Sequence, residues 1–114
     1  MFSLAILSPM IVRIVRMTFH PEAVDAFLEQ FDASSPHIRA MPGCLHLELW
    51  RDERFPNICT THSHWENDQA LQAYRKSDLF ESTWAKVKPL FAAWPEAHSY
   101  SVARSAEAIV EEVE

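Results

Sequence analysis

The 114-residue sequence predicts an α+β fold with the element order β-α-β-β-α-β, on three observations. Runs that are β-branched and apolar, or that alternate apolar with polar, mark four strands at 10–19, 44–52, 58–65 and 97–104. Apolar residues three and four apart mark helices after the first and third strands. The connection between the second and third strands is short and carries Pro56 and Asn57, which suits a hairpin. This order is the split pattern of a ferredoxin-like antiparallel sheet with its helices on one face.

Each element has a local cause. MIVRIVRMTF (10–19) is apolar on both parities, with Arg13 and Arg16 on opposite ones, as a strand inside a sheet requires. Pro21 suits a first helical position, and Val24, Phe27, Leu28 and Phe31 follow at i, i+3, i+4 and i+7. SSPHIRAM (34–41) reads as a second, short helical turn with a serine cap and Pro36 at its start. CLHLELWRD (44–52) sets Leu45, Leu47 and Leu49 on one face and His46, Glu48 and Trp50 on the other. A hairpin closing around residues 53–57 puts Trp50 opposite Thr60, Glu48 opposite His62 and His46 opposite His64. The three leucines then face the helices together with Cys59, Thr61, Ser63 and Trp65. Asn67 caps a helix holding Ala70, Leu71 and Tyr74, and Ser77 caps another holding Leu79, Phe80, Trp84 and Val87, which Pro89 kinks or restarts. AHSYSVAR (97–104) is the last strand.

Composition bounds the function. With 48% hydrophobic residues and one glycine, the chain suits a single small domain with one core. A formal charge of −6 with scattered basic residues leaves no electrostatic footprint for nucleic acid. FSLAILSPMIV is broken by Ser8 and Pro9 and is too short to span a bilayer, so neither a membrane anchor nor a signal peptide is expected. Residues 1–9 read as an extension, 10–104 as the domain and 105–114 as an exposed acidic tail. Cys44 and Cys59, with no CxxC spacing, point to buried thiols in a reducing cytoplasm.

CTTHSHWEND (59–68) divides by parity. His46, Glu48, His62 and His64 collect on the face away from the helices, where the residue types suit zinc or iron. A flat sheet face rarely converges four side chains on one point, so a polar patch is expected there, with no metal. That uncovered face also carries Trp50, and pairing with a second copy through it to form a homodimer is the expected solution. On the other face Cys59, Thr61, Ser63 and Trp65 meet Tyr74, Phe80 and Trp84, the composition either of a small-ligand pocket or of a filled aromatic core.

RIVRMTF, the MPGC turn before LHLELWRD, THSHWEND and ALQAYRKSDLFESTW together resemble the antibiotic biosynthesis monooxygenase family over residues 10–102. The resemblance implies a dimeric α+β barrel and a cofactor-independent oxygenase. In such enzymes a phenolic or quinol-like substrate loses a proton between sheet and helices and its anion reacts with oxygen without metal or flavin. It places Trp65 at the family's pocket tryptophan and Tyr74 where many members have histidine. A tyrosine near its reference pKa of about 10 is a poor base and a fair hydrogen-bond donor. Arg16 and His64 are the candidates for the cation or base that activates the substrate. The haem-degrading branch fits poorly, since strand one has no asparagine and Trp84 stands near the expected histidine. The competing expectation is a non-catalytic dimeric module of the same fold that holds a small aromatic ligand.

Overall fold

The computed structural model describes residues 10–111, so the expected extension at 1–9 lies outside the described residues. Strand β1 (Ile11–Thr18) leads through a 3-10 turn (Pro21–Ala23) into helix α1 (Val24–Arg39), followed by β2 (Cys44–Arg51) and β3 (Ile58–Trp65). Helices α2 (Asp68–Arg75) and α3 (Asp78–Val87) come next, then a 3-10 turn (Lys88–Leu90) and β4 (Glu96–Tyr100). The sheet order is β2-β3-β1-β4 with antiparallel pairing throughout, which is the predicted ferredoxin-like α+β fold. The doubly apolar β1 lies inside the sheet, as its pattern required.

The β2–β3 register is the one expected from the hairpin: Trp50 faces Thr60, Glu48 faces His62 and His46 faces His64. Asp52 fixes the turn, its carboxylate accepting the backbone N–H of Arg54 at 2.8 Å and of Phe55 at 2.7 Å. Odd-numbered residues of β1 and β3 point towards the helices. Met17, Phe19 and Cys59 pack there with Val24, Phe27 and Val87, while Trp65 and Cys44 form a second cluster with Ile38 and Leu71. Asn67 caps α2 through its carbonyl oxygen on Ala70 N–H at 2.8 Å. Ser77 accepts from Phe80 N–H at 3.2 Å and donates to the Tyr74 carbonyl at 2.6 Å, tying the end of α2 to the start of α3.

Three local expectations are corrected. Residues 34–39 continue α1 instead of starting a new turn, with Pro36 inside the helix. Ser34 is buried there and its hydroxyl donates to the Gln30 carbonyl at 3.0 Å, the back-bonding of a serine within a helix rather than a cap. Leu45 does not join the other leucines: the pairing shifts between Cys44 and His46, so Leu45 is a bulge residue and is 48% exposed. The last strand ends at Tyr100, and residues 101–111 are exposed and carry no helix or strand. No helix among the described residues is long and apolar enough to cross a membrane.

Candidate ligand cavity and the open sheet face

Between sheet and helices lies a cavity of about 280 Å³, floored by Arg13, Val15, Thr61 and Ser63 and walled by side chains of α1, α2 and α3. Trp65 and Tyr74 both line it. Trp65 is 1% exposed, and its indole N–H donates to the Ser63 hydroxyl at 3.0 Å. The Tyr74 ring stacks on that indole, and Phe80 meets Tyr74 edge-on at 5.2 Å. Burial, with a smaller contribution from Cys44, pushes the Tyr74 phenol up to about 12. The phenol is therefore held as a proton donor over the physiological range, with no hydrogen bond contributing to that shift.

The other two residues expected at this site lie elsewhere. Arg16 and His64 have the opposite strand parity and do not line the cavity. Arg16 pairs with Glu96 at 3.2 Å, and His64 Nε2 lies 2.9 Å from His62 Nε2. The cations that do line the cavity are Arg13 and Arg75, and none of the described residues lining it is a carboxylate or an imidazole. Desolvation lowers the pKa of the Arg13 guanidinium, and so does Arg75, with Asp68 opposing. Arg13 is fixed from one side by donating to the Ser99 hydroxyl at 2.9 Å. It shares parity with Val15 and Met17, which becomes informative once β1 is paired to β3 and that face is known to meet the helices.

Across the sheet, three of the four polar residues converge more closely than a flat face led us to expect. Glu48 Oε2 is 3.2 Å from His46 Nε2, and Glu48 Oε1 is 3.1 Å from His62 Nδ1. Trp50 Nε1 donates to Glu48 Oε1 at 2.7 Å and, with His62 second, holds the carboxyl below its ordinary range. Burial is the main cause of the lowered His64 pKa, followed by the neighbouring imidazoles.

The fold and cavity define a class: small α+β proteins that enclose an apolar, aromatic-walled site between one antiparallel sheet and its helices. Within that class, the model of the antibiotic biosynthesis monooxygenases matches residues 10–86, and the chain belongs to this family. No curated protein matches the sequence significantly. Among solved structures, a Caulobacter crescentus protein described as an antibiotic biosynthesis monooxygenase is similar, with TM-score 0.80 and 19% identity over 86% of this chain and 93% of that one. A conserved protein from Methanosarcina mazei has TM-score 0.79 and 18% identity, covering 82% of this chain and 92% of its own. A variant of SnoaB, a cofactor-independent oxygenase from Streptomyces nogalater, has TM-score 0.77 and 16% identity, covering 86% and 97%. At these identities the likeness is one of fold.

Proposed function

We propose that the chain is a cofactor-independent monooxygenase that binds a small quinol- or anthrone-like aromatic compound as its anion. The observation that carries this reading is the charge of the cavity: an aromatic-walled space whose only charged lining groups among the described residues are the guanidiniums of Arg13 and Arg75. A guanidinium beside a phenol or an enolisable ketone favours its deprotonated form, and more so out of water. With no carboxylate or imidazole in the lining, the proton leaves to solvent because the anion is stabilised. Tyr74 donates a hydrogen bond to a substrate oxygen. The electron-rich anion then reacts with O2. One oxygen atom stays on the attacked carbon, and the other leaves as water with two hydrogens of the substrate: both from that carbon in an anthrone, or one from that carbon and one from a hydroxyl in a quinol.

The same lack of a lining base favours a second reading, a binding module that holds such an anion without oxidising it. In either case a second copy of the chain covers the open sheet face, supported by the exposure of Trp50 at 44% and Tyr100 at 53%. Oxygen uptake over a panel of quinols and anthrones tests the enzyme reading. Uptake of one O2 per product, reduced at least tenfold in Arg13→Met, is the expected result. Fluorescence-detected binding of the same compounds without uptake would replace it with the binding module.

A further inference from the structure

The open face of the sheet carries a cluster that the cavity chemistry does not use. Antiparallel pairing sets Glu48 directly opposite His62, and His46 stands two residues before Glu48 on the same face of β2. The ligand-type atoms of His46, Glu48 and His62 all lie within 4.8 Å of one another. Each imidazole has one oxygen of Glu48 at about the edge of a tetrahedral ligand set, 3.2 Å from His46 Nε2 to Oε2 and 3.1 Å from His62 Nδ1 to Oε1. That edge is roughly 3.3 Å for metal–ligand bonds of about 2.0 Å.

Two further contacts orient these groups. His62 turns Nδ1 towards Glu48, while its other nitrogen, Nε2, is engaged by His64 Nε2 at 2.9 Å. A metal-binding imidazole characteristically has its second nitrogen held in this way. Trp50 fixes the carboxylate by donating to Oε1 at 2.7 Å, and its ring lies against His62 with centroids 4.5 Å apart. In the single chain the side chains of His46 and Glu48 are 42% and 46% exposed, so an ion can enter before the sheet faces pair and keep water on its remaining positions.

We infer that His46, Glu48 and His62 form a binding site for one divalent transition-metal ion of the zinc class. Two imidazoles and one carboxylate suit a borderline-soft ion, whereas calcium and magnesium prefer all-oxygen sites. All three ligands come from one chain, so one ion per chain is expected whether or not the sheet faces pair. The site is separated from the cavity by the thickness of the sheet, and it does not depend on the function proposed for the cavity.

The test is a Co2+ titration of untagged, chelator-stripped protein, followed by the visible absorption of bound cobalt. Saturation at one Co2+ per chain, with the bands abolished by added Zn2+, is expected. Glu48→Gln and His62→Ala should each weaken binding at least tenfold with an unchanged far-ultraviolet dichroism spectrum. Trp50→Phe, which frees the carboxylate without removing a ligand, should weaken it by about tenfold or more. His37→Ala on α1 should leave it as in the native protein. Absence of a saturable cobalt spectrum would overturn the site, as would equal binding by the Glu48→Gln/His62→Ala double variant.

Discussion

The phenol ring of Tyr74 lies nearly parallel to the indole of Trp65, with centroids 5.0 Å apart and an interplanar angle of 16°. One face of the tryptophan is therefore occupied from within the chain. A planar ligand in the cavity cannot stack on that face of the indole, although Trp65, Tyr74 and Phe80 all line the cavity. Tyr74→Phe keeps the stack and removes only the hydroxyl. Folding should be unchanged, and affinity for a phenolic ligand should fall about three- to tenfold, the worth of one hydrogen bond. Ligand titration followed by tryptophan fluorescence measures it, and equal affinity in the two proteins would remove Tyr74 as a donor.

The same phenol gives a pH signature. Its folded pKa of about 12 exceeds the unfolded value of about 10. Below pH 10 both states hold the proton and the stabilisation is complete. Between 10 and 12 the unfolded state releases the proton first, so stability falls as pH rises. The difference in tyrosinate absorbance between the native protein and Tyr74→Phe should titrate with a midpoint near 12. A midpoint near 10 would contradict the burial of the ring.

Ser63→Ala leaves the Trp65 indole N–H without its acceptor in a site where the tryptophan is 1% exposed. A buried donor without a partner costs about 1–3 kcal/mol. Urea unfolding should show a loss in that range with an unchanged m-value. A loss below the lower bound would mean that water or a cavity ligand replaces the hydroxyl.

Gly43 stands at φ +80° before β2, and a Cβ built there would lie 2.5 Å from Ala70 Cβ on α2. The strained backbone costs about 1–2 kcal/mol for a residue with a side chain, and the overlap with a rigid methyl adds about 1–3 kcal/mol. Gly43→Ala should therefore destabilise by about 2–5 kcal/mol in thermal or urea unfolding. Because α2 carries Tyr74, it should also loosen the Trp65–Tyr74 stack, visible as a change in tryptophan fluorescence before global unfolding.

Much of this architecture was legible because alternation in β2 and β3 is nearly unbroken: Glu48 against His62 and Trp50 against Thr60 follow from counting across the hairpin. The cavity cation was not legible in the same way. β1 is apolar on both faces, so parity alone did not say whether Arg13 or Arg16 faced the helices, and only pairing to β3 decides it. Pro36 misled for a related reason. A proline inside a helix gives up one hydrogen bond near the end of α1, a loss the packing of Ile38 against Trp65, Cys44 and Leu71 outweighs, and a single sequence does not weigh the two. The convergence of Glu48 with two imidazoles depends on side-chain rotamers, which spacing does not specify.

Pairing of two chains through the open face should appear in sedimentation as a dimer at micromolar concentration. A stable interface of this kind removes upwards of about 1,000 Å² from water. Trp50→Glu, which places charge on that face, should shift the equilibrium towards monomer. A native protein that sediments as a monomer would leave Trp50 and the histidine cluster facing solvent.

The bulge at Leu45 makes chain length before β2 a discrete variable. On one side of it the backbone is pinned, since the Gly43 carbonyl accepts from Glu66 N–H at 2.8 Å and Cys44 is set against Trp65. On the other side the ladder is pinned from His46 onwards. The single unpaired residue between these anchors absorbs an odd step, which lets the thiol face the core while the imidazole two positions later faces outward. Side-chain identity at this spot is accordingly cheap, and so is the residue itself: Leu45→Lys should unfold as the native protein does, and deletion of Leu45 should leave a regular ladder with Cys44 still against Trp65 and His46 still against His64. A deletion further along, in the regular ladder between His46 and Arg51, acts instead as a frame shift in space, reversing inside and outside for every residue between the change and the next turn.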